Sequence, residues 1–209
     1  KVKTKEIKKP HEANSYFHDF LPIYNIGKNI KSNLGYPKKE NSKFVIESIK
    51  QAFELVYSKK ARGMITLPVC KRTLKEANFN FNGQTEYLAY LSKKKTKIKH
   101  SEIMILTTTK PVDSGKNLIV GLITTHIPLN EIHKKIKKQK VLEKILSFKN
   151  SLSKIWHKKS PKIGITSVNP HAGEGGLIGT EEVNILQPVL EECKNLKINI
   201  TGPLSSDSG

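Results

Sequence analysis

Two short runs in this chain each place a histidine where an apolar stretch gives way to a turn. They are Thr124-Thr125-His126-Ile127-Pro128-Leu129 and Asn169-Pro170-His171-Ala172-Gly173-Glu174-Gly175-Gly176. Each follows a β-like stretch and ends just before a helix-like one. That context puts both histidines at strand ends, where open α/β sheets hold their ligands. Alone, either histidine reads as a structural residue bonded to backbone. As a pair they read as ligands of one divalent ion, because neutral imidazole suits zinc and its neighbours. Catalytic zinc takes three protein ligands and an open position, so a third ligand must come from Asp, Glu, another His or another chain. Gly173, Gly175 and Gly176 let backbone N–H groups approach an anion. A helix starting near Thr180 adds its positive end.

The pattern around these runs alternates helices and strands, which predicts an α/β class. Residues 1–42 are polar and irregular and carry no clear element. Val45, Ile46, Ile49, Ala52, Phe53 and Val56 recur at helical spacing, predicting an amphipathic helix from Phe44 to Tyr57 with Ser42 as N-cap. Gly63–Leu67 reads as a short buried strand ending at Pro68. A short helix near Thr73–Ala77 and a second from Gln84 follow. Ile103–Thr107 and Leu118–Thr125 read as strands joined by a hairpin-like turn at Asp113-Ser114-Gly115-Lys116, so the sheet is expected to be mixed, with helices on both faces. Asn130–Trp156 reads as a helix in two pieces. Lys162–Val168 is the next strand, then a helix capped by Thr180 with Glu181 and Glu182 favouring its dipole. Lys197–Thr201 is the last strand, stopping at Gly202-Pro203.

Composition narrows the function classes. The formal net charge is +19, which invites a nucleic-acid reading. Yet of 37 basic residues only Arg62 and Arg72 are arginine. Specific readers of bases and phosphates favour the planar arginine fork, and the lysines here are spread along the chain as solvated faces. Specific nucleic-acid binding is not expected. The two cysteines, Cys70 and Cys193, fit no redox or zinc spacing and read as reduced, buried thiols of a cytoplasmic protein. No apolar run reaches the length of a membrane span. There is no dinucleotide-binding G-x-G-x-x-G after a strand and no Walker A sequence. The other histidines (His11, His18, His100, His133, His157) read as surface residues, and Lys71 as a solvated lysine. Gly83-Gln84-Thr85-Glu86 opens a helix, where Thr85 either contacts a phosphate or caps the helix.

Taken together, the 169–176 run followed by Gly179-Thr180-Glu181-Glu182 resembles the signature of the 4-hydroxythreonine-4-phosphate dehydrogenase family. So do the His126 run, Gly83-Gln84-Thr85-Glu86-Tyr87-Leu88-Ala89, Thr66-Leu67-Pro68-Val69-Cys70-Lys71, and Gly202-Pro203-Leu204 with Asp207. The segments come in the family's order from roughly residue 20 onward. The His171 segment is the most specific of them.

The resemblance implies a two-domain fold like that of isocitrate and isopropylmalate dehydrogenases, working as a homodimer. It implies NAD-dependent oxidation of 4-phosphooxy-L-threonine and loss of CO2 to give 3-amino-2-oxopropyl phosphate, in pyridoxal 5'-phosphate biosynthesis. His126 and His171 would be ligands of a divalent metal (Zn, Mg or Co), with Gln84 and Thr85 contacting the phosphorylated substrate. Residues 1–82 would be part of a cofactor-side domain, and 83–209 the metal, substrate and dimerisation domain. One departure is Gln84, where the family has His, which keeps a related threonate or erythronate 4-phosphate dehydrogenase open. Family members also begin earlier and continue further, and their downstream part carries a third metal histidine and the NAD-binding segment. The expectation is therefore a truncated fold with little or no dehydrogenase activity on its own. A different class, a non-catalytic basic binding module, is the remaining alternative.

Overall fold

The computed structural model describes residues 2–27, 30, 35–96, 101–112 and 117–206. The expected turn at 113–116, His100 and Asp207 lie outside the described residues. The chain divides into two compact units, Lys1–Lys99 and His100–Gly209.

In the first unit, strand β1 (Thr4–Ile7) pairs in parallel with β2 (Leu21–Tyr24), Thr4 opposite Leu21 and Ile7 opposite Tyr24, with the single-turn helix α1 (Ala13–Tyr16) between them. The sequence showed no element here because only Ile7 of β1 is buried, so neither strand carries an alternating pattern. Helix α2 (Ser42–Tyr57) follows the expected periodicity and packs Ile49 into a core with Leu74, Phe79, Tyr87 and Leu91. Leu74 comes from α3 (Lys71–Glu76), Tyr87 and Leu91 from α4 (Gln84–Thr96). Helix α4 packs within the first unit through Tyr87 and Leu91. Phe79, Phe81 and Tyr87 form a triangle with ring centroids 5.1 Å apart, a separation that favours edge-on and tilted contacts.

Ser42 is not a cap. It lies inside α2, 2 % exposed, and its hydroxyl donates to the Thr73 carbonyl at 3.0 Å, tying α2 to α3. The expected buried strand at Gly63–Leu67 is also absent. The segment has no strand partner among the described residues, and Ile65 and Leu67 are 99 % and 81 % exposed. Apolar β-formers define a strand only when a neighbouring edge takes up their amides.

In the second unit, β3 (Met104–Thr107) and β4 (Ile119–Leu122) pair antiparallel, Met104 opposite Leu122. The helical stretch splits as expected, into α5 (Ile132–Lys135) and α6 (Lys138–Ile155). Strand β5 (Ile163–Thr166) pairs in parallel with β6 (Ile200–Leu204). Between them runs α7 (Gln187–Asn195), preceded by a π-helical turn at Glu182–Leu186. Val141, Ile145, Leu152, Ile163, Ile165, Leu186, Val189 and Cys193 form the core, Val141 and Cys193 fully buried. Lys144 of α6 donates to the carbonyl of Glu102 and, at 3.3 Å, to its carboxylate, which fastens the chain ahead of β3 to α6.

Three sequence expectations change here. The described strands form three separate two-stranded sheets rather than one mixed sheet. Strand β6 does not stop at Gly202-Pro203 but runs through that cis peptide to Leu204. Glycine is what permits this: Gly202 has φ +136°, and an added Cβ would overlap the Ile165 carbonyl. Thr180 makes no side-chain cap; its carbonyl instead accepts from the Asn184 amide at 2.8 Å, an ordinary α-type bond at the start of that helix.

Candidate functional site

The His171 turn is built from the end of β5. Ser167 extends the pairing by donating its amide to Leu204 at 2.7 Å, and its hydroxyl lies 3.0 Å from that of Ser206. The next two amides turn inward. Val168 and Asn169 both donate to Glu182 Oε1, at 2.7 and 2.8 Å. The Asn169 side-chain amide donates to Glu182 Oε2 at 2.9 Å and to Glu181 Oε2 at 2.8 Å. Burial pushes the Glu182 carboxyl up, but the hydrogen bonds from Asn169 and Val168 outweigh it and hold the group below its ordinary value. The carboxylate is 1 % exposed and charged at neutral pH.

Beyond Asn169 the backbone winds left-handed for five residues: His171 (φ 50°), Ala172 (54°), Gly173 (78°), Glu174 (44°) and Gly175 (67°). Three of these carry a Cβ, and each pays about 1–2 kcal/mol for that conformation. The turn is closed by the Ile178 amide donating to Gly173 O at 3.1 Å. His171 itself is exposed. His126, four residues past the end of β4, is exposed too and also left-handed, at φ 53°. Strain of this kind persists only where surrounding contacts impose it, and it gathers at functional sites.

The glycines divide. Gly175 has open space where a Cβ would stand, and Gly176 nearly so. Gly173 does not: a Cβ there would lie 2.8 Å from Glu182 Oε2. The open side expected to admit an anion is, at Gly173, filled by a carboxylate. The carboxylates of Glu181 and Glu182, at the helix start beyond Thr180, turn to Asn169 and Val168 rather than capping that helix.

Gln84 and Thr85 belong to the first unit and open α4. Thr85 is exposed. Gln84 donates Nε2 to the Leu67 carbonyl at 3.0 Å, which leaves Oε1 buried without a partner. It lines an apolar groove of about 540 Å³ with Ile23, Tyr24, Phe44, Ile49 and Met64. In this pose one of the two Nε2 hydrogens is committed to Leu67 and Oε1 is enclosed, so at most one N–H of Gln84 is left for a phosphate oxygen. The structure thus places two of the four expected residues in each unit. No group of three or more His, Cys, Asp or Glu that could hold a metal occurs among the described residues. Lys71 is exposed as expected, and the two thiols differ: Cys193 is buried, Cys70 only half-buried.

Glu182 is the residue that sequence reasoning missed. An acidic pair at a helix start reads as dipole compensation, and nothing local signals that one member reaches back 13 and 14 positions to two backbone amides.

Comparison with known proteins decides the family. The family model described as "Pyridoxal phosphate biosynthetic protein PdxA" matches residues 1–209. The chain belongs to the PdxA family. It is 36% identical over 174 residues to 4-hydroxythreonine-4-phosphate dehydrogenase of Sulfurihydrogenibium sp. (strain YO3AOP1), covering 83% of this chain and 50% of that protein. With the enzyme of the same name from Wigglesworthia glossinidia brevipalpis it shares 35% over 188 residues, 90% of this chain and 53% of the relative. The crystal structure of 4-hydroxythreonine-4-phosphate dehydrogenase from Klebsiella pneumoniae superposes with a TM-score of 0.79 at 25% identity, covering 100% of this chain and 59% of that one. The chain thus spans about half the length of the curated PdxA relatives it matches. Among the described residues no helix is long and apolar enough to cross a membrane.

Proposed function

We propose that this chain is part of an NAD- and metal-dependent dehydrogenase acting on a phosphorylated hydroxy amino acid, 4-phosphooxy-L-threonine, in pyridoxal 5'-phosphate biosynthesis. The oxidised product then loses CO2 to give 3-amino-2-oxopropyl phosphate. The reading extends to a cytoplasmic homodimer. Its chief support is that both His126 and His171 are exposed, follow strand ends and are held in left-handed backbone within one unit. The match of the PdxA family over residues 1–209 supports the substrate class.

Two exposed imidazoles fit a divalent ion as a partial donor set. Such an ion, when bound, supplies Lewis acidity towards the substrate's oxygens, and NAD supplies the hydride acceptor. The chain's own contribution is positional. His126 and His171 stand as exposed imidazoles just past strand ends. The Glu182–Asn169 bonds fix the backbone that carries His171. Thr85 offers a hydroxyl donor to a phosphate oxygen, and Gln84 stands beside it at the start of α4. That neutral Gln84 is the observation favouring a second reading, the oxidation of threonate or erythronate 4-phosphate.

Zinc titration followed by thermal unfolding tests the proposal. Zinc is expected to raise Tm, and His126→Ala or His171→Ala to abolish the rise. A wild-type Tm indifferent to zinc, with steeply salt-dependent polyanion binding instead, would overturn it in favour of a basic binding module.

A further inference from the structure

The geometry points to Glu182 as a positioning residue for His171. This deepens the reading above, since it gives His171 a ligand's need for a fixed direction. The Glu182 carboxylate touches the His171 turn on both sides. One oxygen takes the amides of Val168 and Asn169, the two residues that lead into the turn. The other takes the Asn169 side chain and lies where a Cβ on Gly173, in the middle of the turn, would stand. Asn169 is in turn packed against Gly179, at the far end of the loop, so closely that an added Cβ there would overlap it. His171 and Ala172, the costly left-handed residues, lie between these two anchor points. Buried at 1 % exposure and charged, the carboxylate has no water to fall back on, so it holds its donors tightly. The wide π-helical turn that begins at Glu182 sets this side chain at the back of the loop.

Glu182 does not itself present a lone pair to a ligand. Both oxygens are occupied by donors from this chain, and the exposed group is His171. Its effect therefore runs through the conformation of residues 171–175.

A residue that merely tied α7 to β5 would lower Tm when changed and leave the turn as it is. The test reads the turn directly. In solution NMR, a left-handed residue gives a strong intraresidue NOE between amide and α protons. Wild type is expected to show it at His171, Ala172 and Glu174. In Glu182→Gln, one amide hydrogen pair faces the Asn169 side-chain amide, donor against donor, and the NOE pattern is expected to vanish at those residues while the β5 and α7 amides keep their wild-type shifts. Persistence of the pattern in folded Glu182→Gln overturns the proposal. Should Glu182→Gln not fold, Asn169→Ala removes one leg only. Amide exchange at Leu177 and Ile178, which close the turn, is then expected to speed up at least tenfold, with exchange at Ile163–Thr166 unchanged. Unaltered exchange at Leu177 and Ile178 overturns the proposal. Added Co²⁺ separates this from the ligand reading: if the wild-type His171 ring resonances are not broadened, the ligand role fails, while the NOE and exchange data still decide the role of Glu182.

Discussion

The α-carbon of Gly173 lies against the carboxylate of Glu182, so close that a methyl group on the glycine would stand 2.8 Å from Oε2 and 3.0 Å from the Gly179 carbonyl. Two residues on, Gly175 shares the left-handed backbone but faces open space. The two glycines separate two reasons for glycine within one turn. Gly173→Ala is expected to destabilise the protein by about 2–3 kcal/mol, through backbone strain and the loss of Glu182 geometry. Gly175→Ala is expected to cost about 1 kcal/mol, the backbone term alone. Urea unfolding of both variants checks this; equal costs would show that Glu182 does not press on the turn.

Glu182 also sets a pH dependence. Its carboxyl is held below the ordinary value of 4.5, despite the burial that opposes this, by bonds from Asn169 and Val168. A depressed carboxyl contributes stability that is fully present above the unfolded pKa and is lost as pH falls through the lower folded value. Glu182→Gln lacks the titrating group. The stability gap between wild type and Glu182→Gln, measured by urea unfolding, is therefore expected to be constant from pH 7 to about 5 and to shrink below pH 4.5. A gap that stays level down to pH 3 would contradict a charged carboxylate at this position.

The two thiols diverge in reactivity. Bonds from the Thr73 backbone and hydroxyl lower the Cys70 thiol against a weak burial effect, and the residue is half-buried ahead of α3. Burial, helped by the neighbouring charge of Glu192, raises the Cys193 thiol in the core of the second unit. Iodoacetamide at pH 8 is expected to modify Cys70 at least tenfold faster, and Cys193 only on unfolding. Peptide mass spectrometry of a timed reaction reads both sites; equal rates would mean that the second unit opens readily.

What could be read from the chain before folding was what periodicity encodes. The stripe from Val45 to Val56 marked α2, the apolar runs around Ile105 and Val120 marked β3 and β4, and the Asn130–Trp156 stretch read as a helix in two pieces, now α5 and α6. Family membership was equally legible, because the Asn169–Gly176 run keeps its residues in order. Pairing was not. β1 and β2 are strands through mutual hydrogen bonds their side chains do not announce, and Ile65 and Leu67, with ideal strand chemistry, have no strand partner among the described residues. The site was legible in its residues but not in its fastening. His171 can be picked out by its neighbours, whereas the Glu182 bonds depend on a loop closing over thirteen positions. Gln84 was visible as a substitution, but only the bond to Leu67 shows which end of its amide is spent.

Ile65 and Leu67 have a consequence for handling the protein at the bench. A solvent-facing segment with apolar side chains at alternate positions is one on which neighbouring molecules can add strands. Here the same molecules carry a formal net charge of +19, so they repel one another in dilute buffer. The colloidal balance is set by ionic strength: as salt shortens the reach of that repulsion to a few ångströms, the sticky segment gains the upper hand. Raising salt, ordinarily a way to keep a basic protein clean of polyanions, works against keeping this one dispersed.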